Sequence, residues 1–98
     1  MQTNKMHSAC DAYRWTDFTN DVDVRKTNQG EQSITPVALW VATAGNIYVY
    51  FDETKTTAVR FTVPQNGTLL PIQPNYIAKA ATGTSVTDVT AMYEDRIK

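Results

Sequence analysis

The stretch Val37-Ala-Leu-Trp-Val-Ala-Thr-Ala-Gly-Asn-Ile-Tyr-Val-Tyr-Phe51 decides the fold class. Its first run puts Val37, Leu39 and Val41 on one side of an extended chain and Ala38, Trp40 and Ala42 on the other. Its second run sets Ile47, Val49 and Phe51 against Tyr48 and Tyr50. Side chains alternate faces along a strand, so this period of two predicts strands with one buried face. A helix would need apolar spacings of three and four, and the chain sustains none. Between the runs, Thr43-Ala-Gly-Asn46 is a tight-turn signal, and the pair is expected to form a hairpin.

Outward from this centre the pattern repeats. Asp52–Thr56 is a polar connection, and Ala58–Val63 puts Val59, Phe61 and Val63 on one face. Pro64-Gln-Asn-Gly67 is a turn. Thr68–Gln73 is an edge strand or a strand broken at Pro71, which has no amide hydrogen to give to a ladder. Tyr76–Ala80 and Val86–Tyr93 complete the set, separated by Thr82-Gly-Thr-Ser85. The expected fold class is all-β: a small antiparallel β-sandwich (jelly-roll-like) or a barrel, with an irregular N-terminal arm. Residues 1–33 are that arm, residues 34–93 the β domain, and residues 94–98 a charged tail. Within the arm, Asp21–Arg25 alternates as a short strand would, with Val22 and Val24 inward, while Ser8–Phe18 reads equally as a short helix or an extended segment.

The totals narrow the function. The 98 residues hold one domain, and 42% hydrophobic with 19% charged residues is a folded composition. Net charge is −1, and among the nine Lys and Arg only Arg25 and Lys26 adjoin. A nucleic-acid interface needs a clustered basic surface, so neither nucleic acid nor an anionic membrane is an expected partner. The single cysteine, Cys10, makes no internal disulfide. That fits folding in a reducing cytoplasm. The opening Met1-Gln-Thr-Asn-Lys5 leads into no apolar stretch, so no secretory signal is expected.

No residue set stands out for chemistry. His7 and Cys10 have ligand spacing, but zinc wants four ligands and no second His or Cys exists. Asp17, Asp21 and Asp23 cluster without the glycine of a calcium loop, and Arg25 and Lys26 follow them. Asp52 and Glu53 are neighbouring carboxylates in a polar loop, the ordinary place for solvated charges. Asn66-Gly-Thr68 matches a glycosylation sequon but is sufficiently explained as a turn. Gly30, Gly45, Gly67 and Gly83 lie in separate turns and form no phosphate cradle. No catalytic residue, cofactor or metal is therefore expected, and the chain is not read as an enzyme. The aromatics carry more. If Leu39 and Val49 are core, then Trp40, Tyr48 and Tyr50 face outward, and clustered exposed aromatics mark interfaces. The competing reading covers that face with the N-terminal region.

Three blocks carry a family resemblance. Pro36–Tyr50 contains Pro36, Leu39, Val41, Thr43-Ala-Gly45, Ile47 and Val49. It resembles the opening of small phage spike-base proteins, the family similar to the head-spike base of gene transfer agents and tailed phages. Val59–Ile72 and Ala80–Tyr93 resemble the family's later blocks in the same order. Each block alone is ordinary turn-and-strand chemistry; their order carries the likeness, which spans about residues 34–93. The resemblance implies a virion structural protein, an oligomeric head-spike or fibre base or a capsid decoration protein. It would sit on the capsid exterior, assembled in the host cytoplasm, with a homo-oligomer, a capsid or vertex protein and a spike or fibre protein as partners. Tyr13, Trp15, Phe18, Trp40, Tyr48 and Tyr50 are the expected interface residues. The alternative function is a carbohydrate- or receptor-binding β-module of a phage tail or adhesin, with Trp40, Tyr48 and Tyr50 stacking on sugar rings.

Overall fold

The computed structural model describes residues 11–98. Among these residues ten strands run in chain order: β1 (Asp11–Trp15), β2 (Val22–Asp23), β3 (Lys26–Thr27), β4 (Ser33–Ile34), β5 (Ala38–Val41), β6 (Gly45–Tyr50), β7 (Ala58–Val63), β8 (Thr68–Leu70), β9 (Tyr76–Ile77) and β10 (Val89–Tyr93). Among the described residues the helical structure is one 3₁₀ turn, Ala80–Thr82. One sheet has the order β1-β10-β5-β8, the second β2-β9-β6-β7, and β3-β4 form a small ribbon. Every pairing between strands is antiparallel.

This order is a jelly roll. β1 pairs with β10 and β2 with β9, while β5 pairs with β8 and β6 with β7. Each inner couple nests inside an outer one, as when a long antiparallel ribbon is rolled into two facing sheets. The β3-β4 ribbon is an insertion before the inner couples.

The alternation read from sequence sets the core. Leu39 and Val41 of the first sheet, and Ile47 and Val49 of the second, are fully buried. Val89, Ala91 and Tyr93 of β10 and Ile77 of β9 join them. Full burial of one such Leu, Ile or Val side chain contributes about 1.5–3 kcal/mol relative to exposure. Tyr93 brings a polar tip inside and spends it well: its hydroxyl donates to the Val24 carbonyl at 2.6 Å. Burial pushes that phenol above its ordinary range, with the carboxylates of Asp23 and Asp11 adding to the rise.

Two sequence expectations are corrected here. β5 and β6 are not a hairpin: β5 lies between β10 and β8 in one sheet, β6 between β9 and β7 in the other. The intervening turn is an arch that crosses the sandwich. Ala42 N–H donates to the Asp88 carbonyl, Ala44 N–H to Asn66 Oδ1 at 2.8 Å, and Gly45 takes φ 147°. A Cβ on Gly45 would stand 2.6 Å from Ser85 Oγ, so the crossing needs glycine. The hairpin is instead β6-β7, with Gly45 opposite Val63 and Tyr50 opposite Ala58.

The second correction concerns the chain ends. From Asp11 onward the N-terminal region is built into the sandwich. β1 lies along the whole of β10, Val24 is fully buried, and Phe18 is 6% exposed in the core. Residues 95–98 fold back: Ile97 bridges Asn28, Lys98 N–H donates to the Thr27 carbonyl, and Asp11 accepts from Ile97 N–H. Those two backbone donors, Ile97 and then Ala12, hold the Asp11 carboxyl below its ordinary value.

β9 is short because side chains finish its work. Beyond Ile77, the β6 amide of Tyr48 donates to Thr84 Oγ1 and that of Asn46 to Ser85 Oγ. Backbone bonds from Ser85 and Val86 to the Asn46 carbonyl complete the edge. Thr84, only 3% exposed, is thus a strand surrogate, and the amides of Tyr48 and Asn46 are satisfied.

Candidate functional site

The facing sheets leave two flanks, and unequal strand lengths open both. The β1→β2 connection keeps those strands at one flank, and the short Pro64–Gly67 turn keeps β7 and β8 at the other. On the first flank, five-residue β1 faces two-residue β2; on the second, six-residue β7 faces three-residue β8. Pro71 follows β8 directly, and a residue without an amide hydrogen cannot extend the ladder. At each flank the longer strand therefore overhangs the shorter, and its inward side chains reach past their cover.

On the β1 flank, Tyr13 is opposite buried Ala91, and Trp15 opposite buried Val89, so both point inward. Trp15 packs on the core, while Tyr13 remains 47% exposed. Their rings lie 4.9 Å apart, tilted by 39°. Lys26 from β3 sets its Nζ 3.7 Å from the Tyr13 centroid and 5.4 Å from that of Trp15. A cation over exposed rings contributes about 0.5–1 kcal/mol.

On the β7 flank, Val59 is opposite buried Val49 and Phe61 opposite buried Ile47, again inward positions. Val59 is nonetheless 37% exposed, and Phe51, just past the end of β6, is 46% exposed. Phe51 and Phe61 meet edge to face at 6.4 Å. Beside them the 52–57 loop is self-contained. Asp52 Oδ2 accepts from Thr56 N–H at 2.9 Å and from the Thr54 and Thr56 hydroxyls. Those donors lower the Asp52 carboxyl to about 2.

The outer faces differ from each other. On the first sheet Trp40 stands between Thr90 and Leu69 in register, and Trp40 and Leu69 are both exposed. Trp40 lies across Gly67, whose added Cβ would come within 3.2 Å of the indole. On the second sheet the polar groups are spent on one another. Arg25 bonds Asp23 through two nitrogens, donates to Tyr76 Oη at 2.6 Å and pairs with Glu53 at 3.3 Å. Hydrogen bonding to Asp23 raises the Arg25 guanidinium further. Lys55 sits 4.9 Å above the Tyr76 ring and 3.5 Å from Asp21, which also accepts from Lys79 N–H. Asp17 accepts from Thr19.

The six aromatics singled out from sequence are thus dispersed. Tyr13 and Trp15 share the β1 flank, and Trp40 is on the outer face of the first sheet. Tyr50, beside Tyr76 in the second sheet, is only 9% exposed, and Phe18 is core, so neither offers a surface. Tyr48 is half-buried under the 80–83 turn, because its ring rests against Gly83. Val59, Phe51 and Leu69 were not singled out, since alternation assigned Val59 and Phe51 to the core. Pro71 was the available signal: by cutting β8 short it uncovers the neighbouring edge. His7 and Cys10 lie outside the described residues. Among the described residues no group of three or more His, Cys, Asp or Glu is arranged to hold a metal ion, and the carboxylates of Asp52 and Glu53 are taken up by the loop and by Arg25.

No family model matches the sequence, and no curated protein matches it. A solved structure does. The chain is similar to a capsid chain. That chain belongs to the capsid of a native GTA particle computed with C5 symmetry. The two are 28% identical with a TM-score of 0.57, and the match covers 92% of this chain and 89% of the capsid chain. Coverage on this scale leaves out far fewer residues than the 33 read as an arm, so the likeness extends beyond residues 34–93 into the N-terminal third.

Proposed function

We propose that this chain is a virion structural protein, an oligomeric component on the exterior of a tailed-phage-like particle that serves as a base for a head spike or fibre. The observation that carries the reading is the end-to-end likeness to the capsid chain, at 28% identity and nearly full coverage of both partners. Two domains that share almost their whole length share a scaffold rather than one motif. The site geometry agrees. Asp17, Asp23, Asp52 and Asp88 are taken up by turns and ion pairs, while apolar side chains lie open at the flanks, as an assembly module requires. Particles purified to homogeneity and analysed by mass spectrometry should contain the chain at a copy number that is a multiple of five. Its absence from such particles, with the capsid protein present, refutes the proposal.

Trp40 and Leu69 support a second reading, a carbohydrate- or receptor-binding module, because two exposed apolar side chains sit together on an outer sheet face. A glycan panel decides it: specific binding abolished by Trp40→Ala upholds this reading, and a blank panel removes it.

A further inference from the structure

We infer that the two open flanks are complementary halves of one repeated contact: the β1 flank of each copy seats against the β7–β8 flank of the next, closing a ring. The inference rests on the virion reading for its five-fold symmetry and on the flank geometry for everything else.

A cyclic assembly of more than two copies needs a heterologous interface. Each subunit must present two different patches, one for each neighbour, on sides that let the rotation close. This molecule presents such a pair. The β1 and β2 edges end both sheets at one side, and the β7 and β8 edges end both at the other. Each side carries inward-facing apolar groups left exposed where the facing strand is short: Tyr13 on one, Phe51 and Val59 on the other, with Trp15 and Phe61 half-buried against the core behind them. Among the described residues each side also has a strand edge of five or six residues with no partner strand, which a lone domain would otherwise have to protect. Seating one flank on the other covers the core overhang and the strand edge of both copies together.

The patches differ in character, which favours pairing with each other over self-pairing. The β1 flank holds the Lys26 ammonium over its two rings. Two such flanks brought together would oppose their cations. The β7 flank offers Phe51 and Phe61 in edge-to-face contact, rings that can take a neighbouring cation. A second copy is therefore the occupant, and five is the number expected of a ring seated on a five-fold axis such as the one with which the similar capsid was computed.

The test uses polarity. Native mass spectrometry of the wild-type chain at micromolar concentration should give a pentamer. Val59→Asp and Tyr13→Asp should each collapse it to monomer, a fivefold fall in mass. Unchanged far-ultraviolet circular dichroism and a cooperative melt would show that each variant folds. Phe51→Ser and Lys26→Glu replace them if either does not. Mixing the two variants should then restore a heterodimer and nothing larger, since one joint in each pair keeps both of its intact halves. A monomeric wild type, an oligomer unaffected by either substitution, a homodimer of either variant, or a mixture that stays monomeric would each overturn the inference. Copy number in purified particles is measured separately. A chain present in particles but monomeric in solution sinks the flank contact alone, whereas a ring that forms from a chain absent from particles sinks the virion reading alone.

Discussion

Replacing Gly83 by alanine should destabilise the domain by about 2–6 kcal/mol, for two separable reasons. The residue follows the 3₁₀ turn at φ 141° and ψ −8°, a conformation that side chains rarely adopt. Holding a non-glycine residue in such a region costs about 1–3 kcal/mol. The added Cβ would also stand 2.4 Å from Cε1 of Tyr48, 2.9 Å from Cζ and 3.0 Å from Cδ1. The ring must move, and overpacking of this kind costs a further 1–3 kcal/mol or so. Against a total stability of about 5–15 kcal/mol, the loss is large. With a urea slope near 2 kcal/mol per molar, a loss of about 4 kcal/mol lowers the midpoint by about 2 M. A cycle with Tyr48→Ala separates the parts. Gly83→Ala should cost less in the Tyr48→Ala background by the overpacking share, leaving the backbone strain. A cost below about 1 kcal/mol, or an equal cost in both backgrounds, would refute the argument that Tyr48 is pinned by this turn.

Other expectations follow from the buried and hydrogen-bonded groups. Tyr93→Phe leaves the Val24 carbonyl without its donor and should cost about 1–3 kcal/mol by urea denaturation. Because the Tyr93 phenol is raised in the folded state, its contribution is complete below the ordinary value of 10 and is lost as pH rises beyond it. Tyr93→Phe should accordingly flatten the alkaline limb of the stability curve. The Asp52 carboxyl is lowered to about 2, so its contribution is present above the ordinary 3.8 and is lost as pH falls toward 2. Asp52→Asn should speed hydrogen exchange of the Thr56 amide at neutral pH, measured by NMR, and unchanged exchange would show that the loop does not depend on this carboxylate.

The strands of the central region were legible because alternation is a local property. Leu39, Val41, Ile47 and Val49 are core as read, and Trp40 faces out. The β5-β6 relation was not legible, because alternation is indifferent to what happens at the turn. A hairpin keeps both apolar faces on one side of a single sheet, and an arch turns them toward each other across two. The choice rests on remote partners: Asp88, Asn66 and Ser85 fix the Thr43–Gly45 turn from far along the chain. Tyr50 and Phe51 show a second limit. Their parity was right, but burial depends on what lies opposite, and Phe51 runs beyond its cover while Tyr50 is enclosed. The N-terminal third was read as irregular because its strands are short and its pairing is entirely non-local, β1 with β10 and β2 with β9.

The same non-local pairing explains why open flanks and a structural role belong together. A domain of this size buries only about two-thirds of the surface its unfolded chain exposes, so it has little stability to spare. A lone sandwich of this kind would be expected to close its core with strands of matched length. Here β2 and β8 stop short of the strands they face, and Pro71 fixes that length on the β8 side. The exposed apolar side chains at Tyr13, Phe51 and Val59 are the direct consequence. In the proposed ring a neighbour covers the flanks and raises stability by mass action, since a partner that binds only the folded state shifts the folding equilibrium toward it. Melting temperature should therefore rise with protein concentration in the wild type and lose that dependence in Val59→Asp. A concentration-independent wild-type melt would mean that the flanks stay open in solution and that the short strands serve some purpose other than assembly between copies.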